Sequence, residues 1–228
     1  IAVYPFTPQA SISQAVINVA DVPVFVGVGG GYTNGSRSVR LAMQAEHQGA
    51  YGVVVNAPMP NEVIAEIKSV VDIPVIAAGG IGDGRGFAAA FMLGAEGVQM
   101  GTRFVTAKES NAHQAYKDEI LHARDSSTVV TGRSTGHSVR VIKNKMTSEM
   151  LRMEKRGEDP EKIVELGTGA LRRAVVEGDV ERGSVMSGQI AGLVRKEQTA
   201  QEIIEDIMAD AADVFRRRNV LTERNFGK

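Results

Sequence analysis

The chain has 228 residues, 43% hydrophobic and 23% charged, with a formal net charge of −1. That is enough for one large α/β domain, or a medium one with an appendage, with a real core, and the charge balance calls for neither nucleic acid nor an anionic membrane surface. The absence of cysteine excludes disulfides, thiolate metal sites, iron–sulfur clusters and cysteine nucleophiles.

In chain order, short β-branched runs fall at Ala2–Phe6, Val24–Val28, Gly52–Asn56, Val75–Ala78 and Val98–Gly101. Amphipathic stretches lie between them at Ile12–Val19, Val39–Gln48, Glu62–Val70 and Arg85–Leu93. Near-continuous apolar strands alternating with helices predict a parallel sheet covered by helices. Right-handed βαβ crossovers then give a barrel or a doubly wound sheet. Two features favour the TIM-type (β/α) barrel. Asp-x-Pro precedes the strands in DVPVFVG and DIPVIAAGG, and glycines cluster after the strands, where barrel sites are built. A barrel needs eight strands, and about five are counted, so an incomplete barrel is expected. The chain opens at Ile1 inside a strand-like run, which suggests processing or truncation upstream, strands supplied by another chain, or an open sheet.

After Val105 the texture becomes polar and helix-forming. Residues 108–183 are expected to form a small, mostly helical insert with no strand of comparable strength. Residues 1–107 and 184–218 are expected to form the barrel portion. Thr199-x-x-Glu202 is a capping box opening a last helix, whose late arginines, Arg216–Arg218, read as a helix C-terminus rather than a nucleic-acid patch. No apolar run approaches the ~20 residues that span a bilayer, and the N-terminus lacks a secretion-signal pattern, so a cytoplasmic protein is expected.

The strongest chemical signal is the pair of strand ends IPVIAAGGIGDG and GVQMGTRFV. Gly79, Gly80, Gly82 and Gly84 allow close approach of backbone to a phosphate, and the helix after them offers amides to an anion. Gly101 and Thr102 could add an amide and a hydroxyl to the same phosphate, as in the last two strands of a barrel. Another glycine-rich strand end, Gly29–Gly31 with Tyr32, Thr33 and Asn34, reads as a plain βα loop or as an approach to a ligand. It lacks the spacing of a dinucleotide fingerprint.

The stretch IPVIAAGGIGDGRGFAAAFMLGAEGVQMGTRFVTAKESNAH resembles the FMN-dependent enoyl-acyl-carrier-protein reductases of the 2-nitropropane dioxygenase, or nitronate monooxygenase, family. The likeness continues through GHSVRVIKNKMT and GTGALRRAVVEGDVERGSVMSGQIAGLV to near Arg218. MGTRFVTAKESNAH with GDVERGSVMSGQIAGLV is closer to the reductase branch than to the nitronate oxidisers. The resemblance implies an FMN barrel, with Ala78, Gly79 and Gly80 against the cofactor phosphate and Gly101 and Thr102 beside them. It also implies that Met186, Ser187, Gly188 and Gln189 fold back to the flavin region.

The resemblance implies an NADH- or NADPH-dependent reductase of enoyl thioesters, with acyl carrier protein as a possible carrier of the substrate. Nitronate oxidation is the related alternative, and a non-catalytic flavin- or phosphate-binding barrel fragment is the third. The family's Gly-Gly-His loop after the sixth strand is absent here. The segment after Gly52–Asn56 reads APMPNEVIAEI instead. His137, in Thr-Gly-His-Ser, and Glu62, which could take the lost histidine's place or cap a helix, are the weak catalytic candidates. His47 reads as a surface residue, and His113 and His122 show no metal-ligand arrangement, so no metal is expected. An incomplete sheet leaves unpaired edges, and self-association or pairing with another chain is expected from them.

Overall fold

The computed structural model describes residues 8–29, 33, 35–56 and 62–226, and the side chains of all of these except 62 and 218–226. The chain divides into two compact units. The first comprises residues Ile1–Met100 and Asp206–Lys228, the second Gly101–Glu205.

The first unit alternates helices and strands: α1 (Ala10–Val19), β1 (Phe25–Gly27), α2 (Gly35–His47), β2 (Gly52–Asn56), α3 (Glu62–Lys68), β3 (Val75–Ala78), α4 (Gly84–Met92) and β4 (Gly97–Gln99). The strands lie in the order β1-β2-β3-β4, every pair parallel. Successive neighbours joined by helices are what half of a barrel looks like. The expected strand at Ala2–Phe6 lies outside the described residues, and the other four expected strands are all present within a residue or two.

The core of this unit sits between sheet and helices. Val53 and Val75 on the strands and Ala42 and Ile67 on the helices are wholly buried in one cluster. Each buried valine or isoleucine side chain contributes about 1.5–3 kcal/mol by leaving water. Carboxylates set the entry of the third strand. Glu46 Oε1 accepts the amides of Asp72 and Ile73 at 2.7 and 3.2 Å, just before Pro74. Glu96 Oε2 accepts the Val75 amide at 2.8 Å while Oε1 receives Lys68 Nζ at 2.8 Å. The Lys68 hydrogen bond holds the Glu96 carboxyl below its ordinary range.

The second unit contains α5 (Thr102–Val105), α6 (Gln114–Leu121), an antiparallel hairpin of β5 (Thr128–Thr131) and β6 (Val139–Ile142), α7 (Lys145–Arg156), α8 (Pro160–Gly167), α9 (Ala170–Val175) and a 3-10 turn at Gln189–Leu193. The hairpin lies in the region expected to be mostly helical with no strand as strong as those of the sheet. Its strands are four residues each, and Gly132 (φ 77°) and Gly136 (φ 78°) supply the left-handed turns between them.

The last helix, α10 (Ala200–Phe226), starts in the second unit and continues in the first. Its capping box is present: Glu202 Oε2 accepts the Thr199 amide at 2.7 Å, and Thr199 Oγ1 accepts the Glu202 amide at 3.1 Å. The helix does not end at the arginine run. Arg216 and Arg217 pair with Asp213 at 3.8 and 2.6 Å, favourable i,i+3 and i,i+4 spacings, and neither glycine nor proline interrupts before Gly227. Among the described residues, no helix is long and apolar enough to cross a membrane.

Candidate functional site

The residues expected to hold a phosphate divide between the two units. In the first, β3 ends at Ala78, which is 8% exposed, and the chain then passes through Gly79 (φ 88°) and Gly80 (φ 71°). Two consecutive left-handed residues are accessible to glycine and strained for anything else. Both are exposed, and a Cβ built on Gly80 would meet nothing within 4 Å. The backbone at this strand end is therefore open to close approach, which is what a phosphate requires.

The start of α4 behaves otherwise than the sequence suggested. Asp83 caps the helix, its Oδ1 accepting the amides of Arg85 and Gly86 at 3.0 and 3.1 Å. Its Oδ2 receives the Arg85 guanidinium at 2.9 and 2.6 Å. Burial pushes the Asp83 carboxyl up, but the Arg85 hydrogen bond and the Gly86 amide outweigh it, and the net shift is downward. The helix thus carries its own anion. An external phosphate at this strand end is left with the backbone of Gly79–Gly80, not with the amides that open α4. Gly-Asp-Gly-Arg before an apolar run is a legible cap signature, and it outranks the phosphate reading of the same amides.

In the second unit, two segments far apart in sequence meet. The Gly188 amide donates to Thr102 Oγ1 at 2.9 Å, a contact spanning 86 positions. This places Gly101 and Thr102, at the start of α5, beside the Met186–Gln189 turn. Gly101 is exposed, and a Cβ on it would meet nothing within 4 Å. Gly188 is tighter, with a Cβ falling 3.4 Å from Thr102 Oγ1. The Thr102 oxygen accepts from Gly188 and keeps its own proton to give.

The hairpin holds the other side of that turn. The Ile142 amide donates to the Val185 carbonyl at 2.9 Å, and the Ser187 amide to the Arg140 carbonyl at 3.2 Å. Val141 and Met186 form an antiparallel bridge between them. From α6, the Tyr116 hydroxyl donates to the Met186 carbonyl at 2.6 Å. Burial pushes the Tyr116 phenol up to about 12. Neither the hairpin contact nor Tyr116 was singled out by the sequence. The pattern Val-Arg-Val-Ile in GHSVRVIKN was the available signal for the first.

His137 lies in the turn between β5 and β6, where its amide donates to Thr135 Oγ1 at 3.1 Å. Its ring is exposed, and it stands three positions before Arg140, the partner of Ser187. Glu62 opens α3, and its side chain lies outside what is described. Of the stretch Gly29–Asn34, Gly29 and Thr33 are described, and the Thr33 hydroxyl is buried with no hydrogen-bond partner among the described residues. His113 Nδ1 accepts the Ala115 amide at 3.1 Å and caps α6. His122 Nδ1 lies 2.8 Å from the Asp118 carbonyl. Among the described residues, no group of three or more His, Cys, Asp or Glu side chains could hold a metal.

Comparisons with known proteins bear on the family and the fold. The nitronate monooxygenase family model matches residues 13–210. A Staphylococcus saprophyticus protein named as a probable nitronate monooxygenase is 36% identical over 177 residues, 75% of this chain and 49% of that protein. A Staphylococcus aureus protein of the same name is 44% identical over 128 residues, 55% of this chain and 36% of that protein. The chain therefore spans about half, or less, of the length of the curated relatives it matches. Among solved structures, FabK from Thermotoga maritima superposes with a TM-score of 0.84 at 36% identity, covering 96% of this chain and 70% of that one. A nitroalkane oxidase from Streptomyces ansochromogenes shares the fold, with a TM-score of 0.72 at 23% identity over 96% of this chain and 65% of that one.

Proposed function

The chain belongs to the nitronate monooxygenase family, and from that membership we propose that it is an FMN-dependent oxidoreductase, an enoyl-acyl-carrier-protein reductase using NADH or NADPH. The observation that carries this reading is the 2.9 Å bond from Gly188 to Thr102. It joins MGTRFV to SVMSGQ, the two segments that most resemble the reductase branch.

FMN, when bound, supplies a hydride acceptor and donor that the side chains of this protein lack. Ala78, Gly79 and Gly80 offer an open strand end to its phosphate, and Gly101 offers an unobstructed backbone with the Thr102 hydroxyl as donor. Met186, Gly188 and Gln189 are assigned to the ring, and the hairpin and Tyr116 hold them in place. The overall reaction delivers a hydride and a proton to the double bond of an enoyl thioester and leaves oxidised nicotinamide. His137 and Glu62 are the candidates for handling that proton.

The test is to follow NADH oxidation by the flavin-loaded protein with a crotonyl thioester. Thioester-dependent oxidation supports the reductase. Oxygen uptake with a nitronate and none with the thioester would instead support nitronate oxidation, the reading that the curated relatives favour. Retained flavin with neither activity would support a non-catalytic barrel portion, which the missing Gly-Gly-His loop favours.

The four parallel strands among the described residues are half of the eight-stranded closure of a barrel. Self-association, or pairing with another polypeptide, belongs to the same reading.

A further inference from the structure

Most groups of the second unit that could do chemistry are already engaged. Lys117, 4% exposed, gives its Nζ to the Ala107 carbonyl at 2.7 Å and to Glu197 at 3.2 Å. Arg103 is bound to Gln198 and the Lys196 carbonyl. The Tyr116 hydroxyl differs in that its one hydrogen bond goes to the backbone of the segment assigned to the flavin.

We propose that Tyr116 is a positioning residue that fixes the peptide after Met186 and so sets where the Met186 side chain is presented. This rests on the flavin reading of the Met186–Gln189 turn and names a residue outside it. Three ties hold the neighbours of Met186: Val185 and Ser187 on β6, and Gly188 on Thr102. The Met186 carbonyl has a different holder, the Tyr116 hydroxyl at 2.6 Å. Exposure along the segment shows what these ties accomplish. Val185 is 1% and Ser187 5% exposed, whereas Met186, between them, is 37% exposed. The turn buries its neighbours and puts one long, polarisable side chain outward, suited to lie against a planar ring.

The ring of Tyr116 is fixed independently of its hydroxyl. It is 3% exposed and packs in one core with Ile120, Ile142, Val185 and Ala191. Its amide donates to the His113 carbonyl at 2.9 Å in the first turn of α6. The phenol stays protonated throughout the neutral range, so the donor is constant. Removing the oxygen alone, in Tyr116→Phe, keeps the packed ring and frees the Met186 carbonyl.

The test uses the full chain with methyl-labelled methionine and compares wild type, Y116F and the packing control Ile120→Val. In Y116F the Met186 methyl resonance is expected to shift and the Ser187 and Gly188 amides to exchange faster. Loss of one positioning bond should weaken FMN binding about fivefold. I120V, which loosens the same core without touching the hydroxyl, should lower the melting temperature and leave the Met186 methyl and FMN affinity as they were. An unchanged Met186 methyl in Y116F overturns the proposal, as does a Y116F chain that no longer folds or an I120V chain with the same spectral changes. Failure of the wild-type chain to take up FMN would sink the flavin reading instead, and the methyl shift, read without FMN, would still decide the role of Tyr116.

Discussion

The Thr102 hydroxyl accepts the Gly188 amide and has its own proton left to donate, so one small side chain can serve both the turn and a phosphate. Thr102→Val keeps the shape and removes both functions. It is expected to weaken FMN binding about five- to tenfold, measured by flavin fluorescence quenching, with Thr102→Ser restoring most of it. Asp83 makes a separate prediction at this scale. Its folded-state pKa is lowered, so its ionised cap stabilises α4 at pH values above the ordinary carboxylate value of 3.8. That contribution is lost as the pH falls below 3.8 through the folded value. Asp83→Ala should cost about 1 kcal/mol at neutral pH and nearly nothing at the acid end, read from denaturant melts at both. The glycines of the strand end were legible in the sequence because positive φ and open space are properties glycine alone combines. That α4 uses its own carboxylate was legible too, in Gly-Asp-Gly-Arg, but the same amides also fit a phosphate. The 3.0 and 3.1 Å bonds decide between the two.

Elements were predictable where one physical pattern dominated. β2 at Gly52–Asn56 and β3 at Val75–Ala78 are buried between helices, and their unbroken apolar runs state as much. The β5–β6 hairpin was not legible. Its burial is mostly partial, its strands are four residues long, and its pairing partner in the flavin-assigned turn, Met186, lies 45 positions beyond Val141. The α10 terminus was misread for a related reason, since charge order along a helix cannot distinguish its end from a run paired with Asp213. α10 also explains a glycine that looked like part of a phosphate loop. A Cβ at Gly84 would fall 2.3 Å from Asp210 Cβ and 2.4 Å from the Ala211 amide, so this glycine lets α4 pack against α10. Gly84→Ala is expected to destabilise the first unit by about 1–3 kcal/mol, seen as a lower melting temperature. Because the lesion is in packing, the Thr102–Gly188 tie in the second unit should keep its amide-exchange protection.

At the scale of the whole molecule, family membership and the parallel sheet are established, and the described strands make half a barrel. Among the described residues no further strand pairs with the outer edges of β1 and β4, and we propose that such edges favour association. Light scattering on the purified chain is expected to give a mass above 24.3 kDa, the mass of one chain, and a monodisperse monomer would contradict that. The resemblance carried by MGTRFV and SVMSGQ implies FMN as the cofactor. It could not name the proton donor, because Gly-Gly-His is replaced by APMPNE. The central proposal is that the protein binds FMN, with the Thr102 hydroxyl donating to the cofactor phosphate. The measurement that tests it most directly is the visible spectrum of the purified chain after incubation with FMN and gel filtration. The account predicts a flavin band that travels with the protein and is diminished in Thr102→Val. A chain that emerges colourless from excess FMN would contradict it.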